Sequence, residues 1–330
     1  MRNKSTLRDV AEVAQVSMRT ASRVLNGDAR VAAATRARVQ EAMLRLGFQP
    51  DPLARSLRSG TDATVGLVVE SVADPFFAAL AGAVESALSA HGKSVLVAST
   101  HRDADAEQHL LERMLQRRVG GLLIAPTTGD HSWLVEASTA VVFVDRAATG
   151  LAADLVDIDD RGAAARAVRH LIDHGHRRIG YVGDRPAVAT SELRLQGYRD
   201  ALRRAGIEPD SELIRVDGVT PQSAGAATVA LLGLAKPPSA IFSATTRCSL
   251  GVVPALHTCH RTDIALVGFG DFAMADTLRP AITVIDHSAE LIGEAAARRL
   301  LDRMADPALP VAHIQVPVHL VERGSGEQRP

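Results

Sequence analysis

Apolar and polar positions follow a helical period in the first 50 residues of the chain. Residues 6–13 place leucine, valine and alanine at i, i+3 and i+4, and residues 17–27 repeat that spacing after a short turn. Thr6 and Ser17 stand where the two helices need an N-cap. A third helix is predicted from about 35 to 46. Three short helices that share a small core are therefore expected at the N-terminus.

From residue 64 onward, short apolar runs alternate with helical stretches. Alternation of this kind, repeated many times, is typical of parallel sheets covered by helices. Two sets of runs predict two similar lobes that divide near residue 160. The predicted strands are 65–69, 94–98, 121–125, 141–145 and 155–159 in the first set, and 178–183, 213–217, 240–244, 264–269 and 282–286 in the second.

The cleft between two such lobes is the expected ligand site, because ligands of open α/β sheets bind at the carboxyl ends of the strands. Phe76 follows the first strand, Asp145 ends the fourth, and Arg194 opens a helix of the second lobe. An aromatic ring can cover a sugar or base, and a carboxylate and a guanidinium can hold hydroxyl or anionic groups. Equally, Phe76 can cover the helix below it, and Asp145 and Arg194 can pair with each other or with surface charges.

The distribution of charge separates the N-terminal segment from the rest. The chain has 330 residues, 46% of them apolar, and a net charge of −1, so it can bury a large core in two or three domains. Residues 1–60 contain eleven Lys or Arg and five Asp or Glu, a net charge of +6, which leaves −7 for the remainder. A basic head on an acidic body indicates a head that meets a polyanion, unless the basic residues cluster by chance on a solvated face.

Several classes of protein find no support in the sequence. The N-terminus has no apolar run of the signal-peptide kind, and no stretch reaches the roughly 18 apolar residues of a membrane span, so we expect a cytoplasmic protein. Cys248 and Cys259 form no C-x-x-C pair, and no metal or other cofactor is expected, although His257 and His260 lie nearby. Phosphate-binding glycine motifs and G-x-S-x-G are also missing, so an enzyme is not expected.

The polar face of the second predicted helix has the chemistry of a DNA-reading surface. Arginine can pair with guanine in the major groove, and serine, threonine or asparagine can bond to bases or phosphates. An ordinary surface hairpin explains the same pattern. The segment 50–58, PDPLARSLR, adds apolar residues to a linker, where Leu57 suits a minor-groove wedge between arginines that suit phosphates. The polar face consists of Met18, Arg19, Ser22, Arg23 and Asn26.

Three segments carry a resemblance to a known family. TLRDVAEVAQVSMRTASRVLNG (6–27), TRARVQEAMLRLGF (35–48) and PDPLARSL (50–57) are similar to the lactose-repressor (LacI/GalR) family of bacterial transcription regulators. The resemblance implies an α/β protein with a three-helix helix-turn-helix head, a hinge helix and a two-lobed core like that of periplasmic sugar-binding proteins. The implied boundaries are 1–49 for the head, 50–63 for the hinge helix and linker, 64–160 with 288–330 for the N-terminal lobe, and 161–287 for the C-terminal lobe.

The resemblance also implies a function. The resemblance implies that the protein is a homodimer that binds pseudo-palindromic operator DNA and represses catabolic or transport genes. It also implies that the protein responds to a carbohydrate-like effector in the cleft. An activator, a regulator without a sugar effector, an unregulated sugar-binding protein and a sugar- or nucleotide-modifying enzyme stay open as alternatives. By position, the implied DNA-binding residues are Thr6, Ser17, Met18, Arg19, Thr20, Ser22, Arg23, Asn26, Ala54 and Leu57, and the implied effector-binding residues are Phe76, Asp145, Arg194, Thr245 and Asp271.

The chain departs from the family pattern at several positions. Gln15 stands where the family has a glycine in the turn, at a cost of roughly 1–2 kcal/mol if that position is left-handed. Ala32 replaces the serine cap of the third helix, at a cost of about 1 kcal/mol. Thr245-Thr246 and Gly270 stand where many members have Asn-Asp and a first aspartate. Because those missing side chains usually clamp sugar hydroxyls, an effector that is smaller, differently charged or absent stays open.

Overall fold

The chain folds into two compact units, a small N-terminal unit, Met1–Asp62, and a larger unit, Ala63–Pro330. The computed structural model describes residues 5–25, 28, 30–48, 64–127 and 129–330. Each unit is built around its own buried apolar residues. The hinge helix and linker predicted for 50–63 lie outside the described residues.

The N-terminal unit contains the three predicted helices. Their inner faces meet at Val10, Ala21 and Val39, all of which are completely buried. Alanine at the centre of this contact lets the backbones approach closely, which suits a core made by such short helices. The helices are α1 (Leu7–Val13), α2 (Met18–Leu25) and α3 (Ala33–Leu46).

Local hydrogen bonds set the ends of these helices as their sequence predicts. Asp9 N donates to Thr6 Oγ1 over 3.3 Å, and Thr6 N donates to the Asp9 carboxylate over 2.7 Å, which together form a capping box. Gln15 has φ +50°, so the predicted cost of a non-glycine residue in the turn applies. Ala32 provides no side-chain hydrogen bond at the N-cap of α3.

The first sheet of the larger unit is entirely parallel and has the strand order β11-β5-β4-β3-β1-β2. Its strands are β1 (Thr64–Val69), β2 (Ser94–Ser99), β3 (Gly121–Ile124), β4 (Ala140–Val144), β5 (Asp154–Asp157) and β11 (His313–Gln315). Its helices are α4 (Pro75–Ser89), α5 (Ala104–Gln116) and α10 (Ala289–Ala305), and a short 3-10 helix covers Ser132–Glu136. Because α10 packs against α4 and against β3 and β4, this part of the chain returns to the first lobe.

The second sheet has the strand order β12-β10-β9-β8-β6-β7 and is parallel except at β12. Its strands are β6 (Ile179–Val182), β7 (Ile214–Arg215), β8 (Ala240–Ser243), β9 (Ala265–Phe269), β10 (Thr283–Asp286) and β12 (His319–Val321). Its helices are α6 (Asp160–Asp173), α7 (Ala189–Arg204), α8 (Pro221–Leu232) and α9 (Thr246–Thr258), with a 3-10 helix at Ser211–Leu213. The predicted α/β fold with two lobes is confirmed.

The structure corrects the predicted end of the N-terminal lobe. All ten predicted strands are present, with ends within two residues of the predicted ones, but β11 and β12 were not predicted. β12 pairs antiparallel with β10, and Ser325 Oγ donates to Leu266 O over 2.6 Å. Residues 319–321 therefore belong to the second sheet and 322–330 follow it in the second lobe, so the assignment of 288–330 to the N-terminal lobe is wrong for 319–330.

A serine at position 32 should stabilise the head by about 1 kcal/mol, because its hydroxyl can accept a hydrogen bond from an N–H of the first turn of α3 that now lacks a side-chain partner. Calorimetry of the full-length protein measures this as a higher midpoint of the head transition. The control is Ala33→Ser, which places the same hydroxyl one residue inside the helix. An equal gain in both variants contradicts the capping explanation.

Candidate functional site

The polar side of α2 is directed away from the core of the head. Met18 is 54% exposed and Arg19 is exposed, whereas Ala21 and Val24 on the opposite side are buried. An outward helix surface of this kind fits the major groove of DNA. We call this surface the α2 face; it consists of Met18, Arg19, Ser22 and Arg23.

Hydrogen bonds within the head hold both ends of the α2 face. Thr20 N donates to Ser17 Oγ over 3.1 Å, so Ser17 caps α2. Arg23 Nε donates to Asp28 Oδ2 over 2.9 Å, and Arg30 holds the same carboxylate through two side-chain bonds of 3.0 Å. The hydrogen bonds from Arg30, followed by the one from Arg23, hold the pKa of Asp28 well below its usual range. Arg23 is thus oriented by an ionised partner.

Of four further predicted DNA-binding residues, Thr6, Asn26, Ala54 and Leu57, the structure describes only Thr6. Thr6 is exposed, and its hydroxyl is engaged in the capping box of α1. Asn26, Ala54 and Leu57 lie outside the described residues. Their roles stay predictions.

A cavity of about 480 Å³, its open mouth included, lies at the carboxyl ends of the strands between the two lobes. Four of the five predicted effector-binding residues line it, namely Phe76, Asp145, Arg194 and Thr245. Eight of the residues that line the cavity are charged, namely Glu70, Asp74, Arg102, Asp145, Arg146, Asp184, Arg194 and Arg247. Its other lining residues include Thr190, Ser191, Thr246 and His287.

One buried carboxylate, Glu70, is the common acceptor of three of the cavity's arginines. Glu70 follows β1, is 1% exposed, and accepts hydrogen bonds from three arginines. Arg102 Nε and Arg247 Nη2 donate to its Oε1 over 2.7 and 2.8 Å, and Arg146 Nη2 donates to its Oε2 over 3.2 Å. Burial raises the pKa of a carboxyl, but the guanidiniums, Arg146 first, outweigh this and lower the pKa of Glu70 to about 2. Glu70 is therefore ionised at neutral pH.

Two arginines of this network join the lobes. Arg102 follows β2 of the first sheet, and its Nη2 donates to the carboxylate of Asp184, which follows β6 of the second sheet. Arg247 lies in the first turn of α9 and donates to Asp74 Oδ2 over 2.7 Å as well as to Glu70. Ion pairs with little exposure are weakly screened by salt. The chain's own charges therefore hold the two walls of the cleft together.

The backbone is strained at residues of the cleft. His101, Arg102 and Asp145 have φ values of +52°, +66° and +67°, in the left-handed region that favours glycine. Each such residue costs of order 1–3 kcal/mol and persists only where its surroundings enforce it. His101 N donates to Glu70 O, and Asp145 N donates to Val156 O, both over 2.9 Å. Strain of this kind clusters at ligand clamps and switch regions.

Arg194 is buried beside the cavity with partners of its own. Its Nε donates to Asp160 Oδ1 over 2.6 Å, and its Cζ lies 3.9 Å from the ring centroid of Phe269. Burial raises the pKa of Asp160 to about 6, against the opposing charge of Arg194. Asp145 Oδ2 lies 3.0 Å from Arg146 Nε. The two predicted residues, Asp145 and Arg194, therefore each have a different partner.

Two other predicted residues have structural contacts of their own. The Phe76 ring stacks on the ring of His287, with centroids 4.9 Å apart and planes 21° apart. Thr245 Oγ1 accepts a hydrogen bond of 3.0 Å from Cys248 N and caps α9. Both side chains line the cavity, and each also stabilises its wall.

Asp271 is not among the residues that line the cavity, and its effector contact stays a prediction. Its carboxylate accepts hydrogen bonds of 2.8 and 2.5 Å from the two terminal nitrogens of Arg323. Arg323 comes from the C-terminal segment that pairs with the second sheet. The predicted position of that segment was wrong, and the partner of Asp271 was missed for the same reason.

Sequence reasoning also missed several polar residues of the cavity. Glu70, Asp184 and His287 each follow a predicted strand directly, and Arg102 follows the predicted strand 94–98 by four residues, so the rule that selected Asp145 could have found them. Arg247, in the first turn of α9, follows the predicted strand 240–244 by three residues, so the same rule could have found it as well. Its role depends on two carboxylates from the other lobe.

The described part of the chain contains neither a candidate metal site nor a helix that could span a membrane. No group of three or more His, Cys, Asp or Glu side chains there could hold a metal ion. Cys248 is buried and Cys259 is half-buried, and both are free thiols. None of the described helices is both long enough and apolar enough to span a membrane.

Comparison with known families assigns both units. Residues 6–51 match the family described as bacterial regulatory proteins, lacI family. Residues 168–326 match the periplasmic binding protein-like domain. The two matches fall on the head and on the larger unit, respectively.

Full-length relatives and solved structures give the same result. The ribose operon repressor of Escherichia coli (strain K12) is 32% identical over 331 residues, which cover 97% of this chain and 99% of the relative. A structure described as a complex of the transcriptional regulator CelR with cellobiose is 31% identical, covers 98% of this chain and 100% of that chain, and superposes with a TM-score of 0.72. A Lac repressor dimer bound to operator and the anti-inducer ONPF is 27% identical, covers 98% and 99%, and has a TM-score of 0.88.

Glu70→Gln should lower the free energy of unfolding by about 3 kcal/mol at pH 7, because a carboxyl whose pKa falls from 4.5 to about 2 on folding stabilises the folded state by roughly that amount. This stabilisation is present above the unfolded pKa and is lost as the pH falls towards 2. The difference between wild type and variant should therefore narrow between pH 5 and pH 3.

Urea unfolding at pH 7 and at pH 3.5 measures this difference. The matched control is Glu85→Gln, an exposed position on α4, which should change the free energy of unfolding by less than about 0.5 kcal/mol. Equal effects of the two substitutions at pH 7 would mean that the arginine network does not stabilise the fold.

Proposed function

The protein belongs to the lacI family of bacterial regulatory proteins and is a DNA-binding transcriptional regulator, and we propose that a neutral, polyhydroxylated small molecule in the cleft sets its affinity for operator DNA. The observation that carries this proposal is the charge balance of the cleft, in which each arginine already has a carboxylate partner. The α2 face supports the DNA-binding half of the proposal.

The α2 face supports sequence reading by Met18, Arg19 and Arg23. A guanidinium can form two hydrogen bonds with O6 and N7 of guanine, and an exposed methionine can contact a thymine methyl group. Asp28 restricts the Arg23 side chain before DNA arrives, which reduces the entropy lost on binding. Contacts to the DNA backbone are proposed for Thr6, Ser17, Thr20, Ser22 and Asn26, and contacts by the hinge segment for Ala54 and Leu57.

Two copies of the chain would read one operator. A solved relative is described as a Lac repressor dimer bound to operator. Because each copy offers one α2 face, a two-fold symmetric dimer requires a pseudo-palindromic site. We propose that the protein works in the cytoplasm, where such operators lie, and represses catabolic or transport genes by binding rather than by catalysis. A site upstream of the promoter instead of over it would favour an activator.

The charges of the cleft favour an uncharged ligand. Arg102 pairs with Glu70 and Asp184, and Arg247 pairs with Glu70 and Asp74. A charged ligand would displace one member of a pair and leave its partner buried without compensation, which is strongly destabilising. Hydroxyl groups can accept from guanidiniums and donate to carboxylates at the same time. One relative is named after ribose, and another was solved in complex with cellobiose. Both sugars are neutral and polyhydroxylated, as this ligand class requires.

The cleft also suggests how the ligand would act at a distance. Its walls come from both lobes, so a ligand that binds one lobe arrangement more tightly shifts the chain towards it. In a dimer, that shift changes the spacing of the two heads. A coupling free energy of about 1–3 kcal/mol would change operator affinity by about 5- to 150-fold.

Replacing Arg23 by alanine should weaken binding to a selected operator by about 1–3 kcal/mol and relax the preference at one base position. In vitro selection from random DNA supplies the operator, and titration at moderate salt measures the affinity. Arg45→Ala, on the exposed side of α3, removes the same charge from the head and is the matched control. A selection that yields no palindrome, or unchanged affinity of the Arg23 variant, would argue against the assigned reading face.

Neutral sugars should bind the full-length protein more tightly than acidic sugars of the same size. The comparison of D-galactose with D-galacturonate by isothermal titration calorimetry isolates the charge, because the two differ at one carbon. We expect at least tenfold weaker binding of the acid, roughly the effect of 1.4 kcal/mol. Tighter binding of D-galacturonate contradicts the proposed ligand class.

A further inference from the structure

Asp28 is an acidic residue beside the α2 face. Residues 1–60 carry a net charge of +6, and a carboxylate next to the surface that meets DNA repels the phosphates and so lowers the affinity. This carboxylate accepts a hydrogen bond from Arg23, a member of the α2 face. Its presence therefore requires an explanation other than the strength of DNA binding.

Hydrogen bonds of the backbone fix Asp28 between α2 and α3. Its N–H donates to Arg23 O over 3.0 Å. Its carbonyl oxygen accepts hydrogen bonds from Val31 N over 3.2 Å and from Arg36 Nη2 over 2.9 Å. Because the amide nitrogen and the carbonyl oxygen are both bound, the carboxylate has a defined position relative to α2.

The carboxylate restrains Arg23 and leaves the terminal nitrogens of that side chain available. The hydrogen bond to Asp28 Oδ2 uses only Arg23 Nε, and the Arg23 side chain is 42% exposed. Among the residues that the structure describes, neither terminal nitrogen of Arg23 has a hydrogen-bond partner. These two nitrogens can together contact O6 and N7 of guanine. An arginine without such a restraint can turn instead to a phosphate, which carries no sequence information.

The same carboxylate also holds Arg30. Arg30 Nε donates to Asp28 Oδ1 and Arg30 Nη2 donates to Asp28 Oδ2, both over 3.0 Å, and the Arg30 side chain is 80% exposed. An ion pair with so exposed a partner contributes little to the stability of a fold. The pair does, however, occupy a cation that could otherwise bind a DNA phosphate of any sequence. One acidic side chain therefore engages two arginines of the head.

We propose that Asp28 is a positioning residue for DNA reading, which directs the terminal nitrogens of Arg23 to a guanine and keeps Arg23 and Arg30 from the phosphates of unrelated sequences. Asp28 itself forms no contact with a base. It lowers the affinity for DNA in general and raises the ratio of operator affinity to non-specific affinity. The inference rests on the proposed function, because it requires Arg23 to read a base.

Asp28→Ala in the full-length protein tests this role, with the selected operator and a scrambled duplex of the same length as probes. Fluorescence anisotropy titrations at several salt concentrations measure both affinities. We expect tighter binding to the scrambled duplex, with a dependence of log affinity on log salt that is steeper by about one. Discrimination at the base position that Arg23→Ala relaxes should fall about fivefold or more. Asp28→Glu, which keeps a carboxylate, should lose less discrimination than Asp28→Ala.

Two further variants separate positioning from charge and from folding. Glu41→Ala, at an exposed position on α3, makes the same change of net charge in the head and should leave base discrimination unchanged. In an Arg23→Ala background, Asp28→Ala should cause no further loss of discrimination at that base position, because the side chain that it positions is absent. Thermal unfolding of each variant reports whether the head stays folded.

The outcomes distinguish the inference from the proposed function. Unchanged discrimination in Asp28→Ala, at a base position that Arg23→Ala does relax, overturns the inference while the proposed reading face stands. If Arg23→Ala relaxes no base position, the reading face and the inference both fail. An equal loss of discrimination in the Arg23→Ala background, or a head of Asp28→Ala that is unfolded at the temperature of the titrations, shows a purely structural role and also overturns the inference.

Discussion

The arrangement of the cleft depends on the burial of one carboxylate, Glu70. An ionised group that loses its water must be compensated by opposite charge, and three arginines from three different parts of the chain meet this requirement. Two of these arginines need further acceptors, and they find them in Asp184 and Asp74. Because these pairs cross from one lobe to the other, the charge requirement of a single side chain also fixes how the lobes meet.

The long strands were predictable because apolar runs of four to six residues between turns are stable only in a covered sheet. The strands β11 and β12 were not predictable in this way. Each has three residues with exposed or half-buried side chains, so pairing with β5 and β10 determines their position. The C-terminal segment then stays with the second lobe, where Glu327 accepts hydrogen bonds from Thr283 and is paired with His170.

The site was predictable where a polar side chain ends a strand, and unpredictable where its role depends on a distant charge. Asp145 was found because it follows β4, whereas Asp271 was chosen because the family resemblance implies an effector contact at its position. Asp271 accepts a hydrogen bond from Arg323, 52 residues further along the chain, and no local pattern indicates this partner. Arg247 follows the predicted strand 240–244, but its contacts with two carboxylates of the other lobe could not be predicted from that position. The sequence shows which strand or helix end a residue occupies. The contacts that its side chain makes in the folded chain determine its role.

The chain passes between the two sheets three times, at residues 157–160, 286–289 and 315–319. Neither lobe is therefore a continuous stretch of sequence. A protease that cuts one crossing leaves two covalent connections between the lobes. Three connections between the lobes permit the lobes to rotate about the line of the crossings. The same connections oppose separation of the lobes.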